Sequence, residues 1–396
     1  MRKILGQLLL LSPAILAGCA VGVATDSASP ADKVAERAIQ PVVPPKPEPK
    51  FSYKKPEHVR GIYLTAWSAG GNKKRAKTIE MIHRTELNAV VIDVRDDGEM
   101  YWKTGIPLAK EVGAEKIAVL KPDKVMQDLE DAKVYPIARI ACFRDAFVPL
   151  KFPERAVKLS TGGIWKDHSG HTWLDPYNKD NWKYMWETVE FALDQGFPEV
   201  QLDYVRFPSE GKASTQVFPA KKSFGDGKAK PEDVIAEFAK FIGEKVRERD
   251  ATYSADIFGI ISSGKVDQGI GQDLEKVAEP FDLICPMVYP SHFNKGEYGI
   301  RDPNAQPYAI VKKSLADYKR RLPEKQIRPW LQDFFGYTAK SVQAQIKAAK
   351  ELGYEEYLIW NAGNRYTEAA LKDNSKLVPE KGKVAFKPVS PADAKT

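Results

Sequence analysis

The chain has 396 residues, with 60 Lys and Arg against 53 Asp and Glu, so its formal charge is +7. A mild excess spread over such a length is a solvated surface rather than a polyanion-binding stripe, which sets aside nucleic acid as a partner. Three cysteines make no disulfide framework.

Met1-Arg2-Lys3, the apolar run Ile4 to Leu16 and the segment Leu16-Ala17-Gly18-Cys19 read as a charged n-region, an h-region and a small-residue cleavage site. The run is shorter than the roughly 20 apolar residues of a membrane-spanning helix. It resembles a bacterial lipoprotein signal over residues 1–18, with Cys19 as the lipidated first residue of the mature chain. Ala20 rather than Asp follows, which by likeness to Gram-negative lipoproteins directs the anchor to the outer membrane, facing the periplasm. Removing Arg2 and Lys3 lowers the formal charge to +5. Residues 19–57, proline-dense at Gln40-Pro-Val-Val-Pro-Pro-Lys-Pro-Glu-Pro49, form an extended spacer, and residues 380–396 a loose tail. Cys142 and Cys285 each sit inside an apolar run and read as buried thiols.

Between these ends, residues 58–379 alternate short apolar strands with helical stretches. Strands are predicted at Val59–Trp67, Asn88–Val94, Val134–Cys142, Glu199–Val205, Thr252–Phe258, Leu283–Tyr289, Ile327–Asp333 and Glu356–Asn361. Helices are predicted at Lys73–Glu86, Lys124–Lys133, Asn178–Gln195, Pro231–Arg249, Asp273–Ala278, Tyr308–Arg321 and Ala339–Leu352. Eight strands in this alternation, with no Gly-x-Gly-x-x-Gly turn, argue for a single-domain α/β (β/α)8 TIM barrel over a doubly wound sheet.

Strands buried on both faces should be apolar throughout, so polar residues within them face a cavity or a partner. They gather at the carboxyl ends: Asp93 and Arg95, Arg139, Gln201, Asp203 and Arg206, Ser254 and Asp256, His292, Gln332 and Asp333, and Asn361. The amino ends show little of this. Side chains alternate along a strand, so Gln201 and Asp203 share a face, as do Asp93 and Arg95. Tyr204, Met287, Tyr289, Trp330 and Trp360 add apolar and aromatic surface at the same rim, where the active site of such a barrel lies. Converging carboxylates with aromatic neighbours suit glycoside hydrolysis, in which one group protonates the leaving oxygen and another serves as nucleophile or base. Asp96, Asp97, Asp145 and Asp175 form a second acidic group of a kind that could hold a hard cation such as calcium, but it lacks a regular cation-binding loop, so no metal is expected; no cofactor is expected either.

The ordered motifs Val91-Ile-Asp-Val-Arg-Asp-Asp97, Ala138-Arg-Ile140, Trp173-Leu-Asp-Pro176, Gln201-Leu-Asp-Tyr-Val-Arg-Phe-Pro208, Ala255-Asp-Ile-Phe-Gly259, Cys285-Pro-Met-Val-Tyr-Pro-Ser-His292 and Arg328-Pro-Trp-Leu-Gln-Asp333 carry a resemblance. From Val59 to Tyr366 the chain resembles the glycosyl hydrolase domains of bacterial envelope proteins, amylase-like barrels long catalogued as a domain of unknown function. The resemblance implies a hydrolase acting on a cell-envelope or extracellular polysaccharide or oligosaccharide. It implies Asp203 as nucleophile or electrostatic stabiliser, Asp256 as general acid and Asp333 as the group that steadies a distorted sugar. Asp93, Arg95, Arg139, Gln201, Tyr204, Arg206, Met287, Tyr289, His292, Trp330, Gln332, Trp360 and Asn361 would bind substrate. Two departures stand out: the amylase acid after the fifth strand is Glu, and the amylase Arg precedes its nucleophile by two, whereas Arg206 follows Asp203 by three. The alternative is a glycan-binding lipoprotein that keeps the cleft without the chemistry, recognisable by Asp203 and Asp256 both being locked to Arg139 or Arg206.

Overall fold

Eight short parallel strands form a closed barrel: β1 (Arg60–Leu64), β2 (Ala89–Asp96), β3 (Tyr135–Ala141), β4 (Glu199–Asp203), β5 (Thr252–Phe258), β6 (Leu283–Met287), β7 (Trp330–Gln332) and β8 (Tyr357–Trp360). Each pairs in parallel with the next in order, and β1 closes the ring by pairing with both β2 and β8. The computed structural model describes residues 50–371 apart from 265, 266 and 268. The signal, Cys19, most of the spacer and the tail therefore lie outside the described residues.

Crossovers carry α1 (Asn72–Arg84), α2 (Pro122–Asp131), α3 (Lys179–Asp194), α4 (Pro231–Arg247), α5 (Leu274–Ala278), α6 (Pro307–Arg321) and α7 (Ala339–Lys350). Three of them begin on proline, at Pro122, Pro231 and Pro307, where the missing N–H would be unbonded in any case. Asn178 and Asp273 cap α3 and α5 through their side chains. Along α4, Val234, Ile235, Phe238, Ala239, Ile242 and Val246 make one buried stripe, which packs on the outer face of the barrel. This is the (β/α)8 arrangement the alternation predicts. After β8 the described chain holds only a short 3₁₀ turn, Glu368–Ala370.

Three local departures bear on function. The first strand stops at Leu64, because Thr65 caps a short helix, Ala66–Gly70, which carries Trp67 away from the sheet. Beyond β2 a strand at Glu99–Trp102 folds back antiparallel on it and pairs with Glu115–Val119, elements the sequence pattern did not announce. Packing also begins before residue 58: Phe51 is buried, and the Tyr53 hydroxyl donates to the Met126 carbonyl at 2.7 Å.

Strand parity divides the interior. Val200 and Leu202 of β4 face the helices, while Glu199, Gln201 and Asp203 face the lumen. Contacts between strands that are not neighbours define the lumen: Arg328, just before β7, meets Glu199 at 2.7 Å, and Gln201 donates to the Cys285 sulfur at 3.0 Å. Arg328 also meets Glu356 at 2.9 Å. The amino end of the barrel is thus ionic, contrary to the expectation that it holds little polarity. These residues sit on strands far apart in sequence, and only closure of the ring brings them together. Cys142 and Cys285 are free and buried.

Candidate active site

A cavity of about 540 Å³ opens at the carboxyl ends of β3 to β6 and β8. Arg139, Asp203, Tyr204, Arg206, Asp256, Met287, Tyr289, His292 and Trp360 line it, all of them residues singled out by the sequence. Phe258, the last residue of β5, and Gly259 directly after it also lie in the wall, which Glu210, Ile260, Phe293 and Asn294 complete from loops that carry no strand pattern. At Gly259 a Cβ would stand 2.5 Å from the Met287 carbonyl oxygen, so only glycine lets the chain leaving β5 pass so close to β6.

Arg139 is the hub. It is almost wholly buried, and its guanidinium donates to Asp203 Oδ2 from Nε at 3.0 Å and Nη2 at 2.6 Å, and to Asp93 Oδ1 from Nη1 at 2.6 Å. The register explains the geometry, since Asp93, Arg139 and Gln201 are opposite one another on β2, β3 and β4. Tyr63 donates its hydroxyl to Asp93 and stacks on Trp360 with ring centroids 3.9 Å apart. Both rings lie within cation–π distance of Arg139. The second oxygen of Asp203 accepts from the Tyr204 backbone N–H at 2.7 Å, and Tyr204 itself holds a left-handed conformation, φ 50°.

Asp256 differs. It is buried, its Oδ1 accepts from the Trp330 indole N–H at 2.6 Å, and among the described residues it has no ion-pair partner. Burial raises its pKa well above the usual range, the negative charge of Asp203 adds to the rise, and Arg139 opposes it. Registered pairing of β4 with β5 ends at Leu202 with Ala255, one residue before Asp203 and Asp256. The two carboxyls therefore stand side by side on adjacent strands. Burial also raises Asp93 to about 6, against the pull of Arg139. His292 is lowered by desolvation, which favours the neutral imidazole in the cavity wall.

The other expected residues lie elsewhere. Arg95 is fully buried away from the cavity, bonded to the carbonyls of Ala141 and Cys142 and paired with Asp145. The cause is a register shift between Asp93 and Arg95, which sets Asp93 opposite Arg139 but Arg95 opposite Ile140, so the two do not share a face. Asp333 is buried outside the cavity wall, where it accepts from the backbone N–H of Thr367 at 2.6 Å and from its hydroxyl at 2.8 Å. It pins the chain after β8, as does Asn361, which bonds the Asp333 carbonyl and the Gly363 N–H. Gln201 lies deeper in the lumen, and Gln332 ties the Ser291 N–H to Asn304. Trp330 is buried behind Asp256. Within the second acidic group, Asp145 accepts from the N–H groups of Phe147 and Val148, and Asp175 from those of Tyr177 and Ala220.

The two proximal carboxyls are thus in opposite settings, one clasped by a guanidinium and one left without a cation.

Solved structures share the architecture. The PgaB (BpsB) glycoside hydrolase domain from Bordetella bronchiseptica aligns over 77% of this chain and 94% of its own, at 14% identity and TM-score 0.60. TtGalA, an α-galactosidase from Thermus thermophilus, aligns over 82% of this chain and 61% of its own, at 11% identity and TM-score 0.50. At such identities the likeness is one of fold. A hypothetical protein from Ruminiclostridium thermocellum is 36% identical over 49% of this chain and 96% of its own, with TM-score 0.45. No curated protein matches the sequence. Residues 61–366 match the family described as "Putative glycosyl hydrolase domain", and the chain belongs to that family.

Proposed function

We propose that the protein hydrolyses glycosidic bonds of a cell-envelope or extracellular glycan, with Asp256 as general acid and Asp203 as nucleophile. The observation that carries this reading is the contrast within one cavity: Asp203 is paired with Arg139, whereas burial and the Asp203 charge favour the protonated form of Asp256. Neighbouring titratable groups in opposed environments divide the acid and base roles between them. An indole N–H only donates, so Asp256 Oδ1 is an acceptor in either protonation state and the acid proton belongs on Oδ2.

In the first step the bond from the anomeric carbon to the leaving oxygen breaks, Asp256 gives that oxygen its proton, and Asp203 forms a bond to the anomeric carbon. Water then attacks this carbon, losing a proton to Asp256 and releasing Asp203. Adjacent strands lie about 4.8 Å apart, which supports the roughly 5–5.5 Å carboxyl spacing of retaining enzymes over the wider inverting one. Asp256, free of any arginine, speaks against a purely binding role. Asp333, held by Thr367, has no part in the chemistry.

The test is digestion of envelope polysaccharides and exopolysaccharides by the purified protein. Asp203→Asn and Asp256→Asn should each lower release of reducing ends at least a hundredfold, and proton NMR should detect the retained anomer first. Full turnover by either folded variant would remove that residue from the mechanism.

The signal sequence supports attachment through lipid on Cys19 to the outer membrane, facing the periplasm. Among the described residues no helix is long and apolar enough to cross a membrane.

A further inference from the structure

Phe335 breaks two local rules at once. It is 73% exposed, so its ring gains little from packing. Its backbone is also left-handed, φ 55°, followed by Gly336 at φ 73°. Two successive positive φ angles are ordinary for Asn-Gly or Gly-Gly, whereas a bulky residue in the first position is strained. Strain without a packing gain points to function.

The surroundings say which function. Phe335 follows β7 at the rim that bears the cavity, and its ring meets Phe334 with centroids 5.0 Å apart. Phe334 in turn meets Tyr289 at 5.5 Å and His292 at 6.0 Å, both of them in the cavity wall. A continuous run of rings therefore leads from the catalytic cavity to an aromatic face in water.

We propose that Phe335 is the stacking platform of an outlying sugar subsite, and that the substrate is a β-linked chain of gluco-configured pyranoses running from the cavity over the β7 rim. Such sugars carry their hydroxyls equatorially and present a flat C–H face, which covers an exposed ring and removes apolar surface from water. This deepens the glycan-hydrolase reading and rests on it.

The test uses the full chain carrying Asp203→Asn, so that ligand is not consumed, titrated with chitohexaose, cellohexaose and the matching disaccharides. At least one hexasaccharide should bind about tenfold more tightly than its disaccharide. Phe335→Ala should lower that hexasaccharide's affinity roughly three- to tenfold and leave the disaccharide unchanged, while Phe335→Tyr restores it. The exposed position lets both variants fold, which unchanged thermal melting verifies. No binding by either hexasaccharide, no advantage over the disaccharide, or indifference to Phe335→Ala would each overturn the proposal. Phe335-dependent binding with no turnover by the wild-type chain would refute hydrolysis and leave the subsite standing. Turnover of long chains unaffected by Phe335→Ala would do the reverse.

Discussion

Asp93→Asn should stabilise the protein, although it removes a buried ion pair. Asp93 shares Arg139 with Asp203, and the guanidinium does not offset the cost of burying a second carboxylate: the folded-state pKa rises from the usual 3.8 to about 6. An acid whose pKa is raised by folding binds its proton more tightly when folded. Its contribution to stability is therefore retained below about pH 4 and lost as the pH climbs to 6. At about 1.4 kcal/mol for each pH unit, the interval corresponds to about 3 kcal/mol at neutral pH. Asparagine has the shape of the protonated acid and escapes this cost, while Arg139 keeps its two bonds to Asp203. Urea denaturation at pH 7 should show Asp93→Asn more stable by about 3 kcal/mol, with melting higher by roughly 4 °C in a domain of this size. At pH 4 the two proteins should nearly coincide. A variant less stable than wild type at pH 7, or a difference equal at both pH values, would refute the reasoning. Activity should fall, since Arg139 loses one of the anchors that aim it at Asp203.

Two further outcomes follow from the same geometry. Trp330→Phe keeps the buried ring and removes the N–H that favours ionised Asp256. The Asp256 pKa should rise further, visible in carboxyl-carbon NMR and as an alkaline shift of the limb of the activity profile that tracks loss of the acid proton; kcat should fall about tenfold at constant KM. An unmoved limb would show that the indole only fills space. Cys19→Ser should abolish palmitate incorporation and release the protein from membranes, and continued membrane recovery would rule out the anchor.

The barrel was legible because its strands and helices carry their own periodicities. The apolar run Ala89–Ile92 and the stripe along α4 mark their elements without reference to anything distant. The cavity wall was partly legible too, since a polar residue inside an apolar strand has few other uses, and Asp203, Asp256 and Arg139 all meet there. What failed was whatever depends on a single irregular backbone or on a distant partner. The register shift after Asp93 turns Arg95 to the outside, and nothing in Val-Arg-Asp announces it. Asp333 has the look of a catalytic acid until Thr367, on the far side of β8, takes both its oxygens. Glu210, four residues beyond Arg206 and paired with it at 3.1 Å, is a cavity residue whose spacing in a Pro-Ser loop gave no helical or strand signal.

The lumen holds two acidic clusters, and their difference explains why the proposed chemistry rests on only one of them. In the lower layer Arg328 is shared by Glu199 and Glu356, and Ser254 adds a hydroxyl to Glu199 at 2.8 Å. None of these groups touches the cavity, and removing one would leave its partners charged and dry, so the cluster serves as structure. In the upper layer the Arg139 guanidinium faces the three buried carboxyls of Asp93, Asp203 and Asp256; it reaches the first two, and also the partly exposed Asp96 at 3.4 Å, but not Asp256. Ionising all three would leave two uncompensated negative charges in a nearly dry volume, so a proton must be retained. It stays where no cation is within reach and burial is greatest, on Asp256. The lower layer carries one carboxyl more than its arginine, and the three buried carboxyls of the upper layer two more than theirs. That further excess, beside an open cavity, favours a protonated Asp256 next to an ion-paired Asp203, the arrangement the proposed hydrolysis uses.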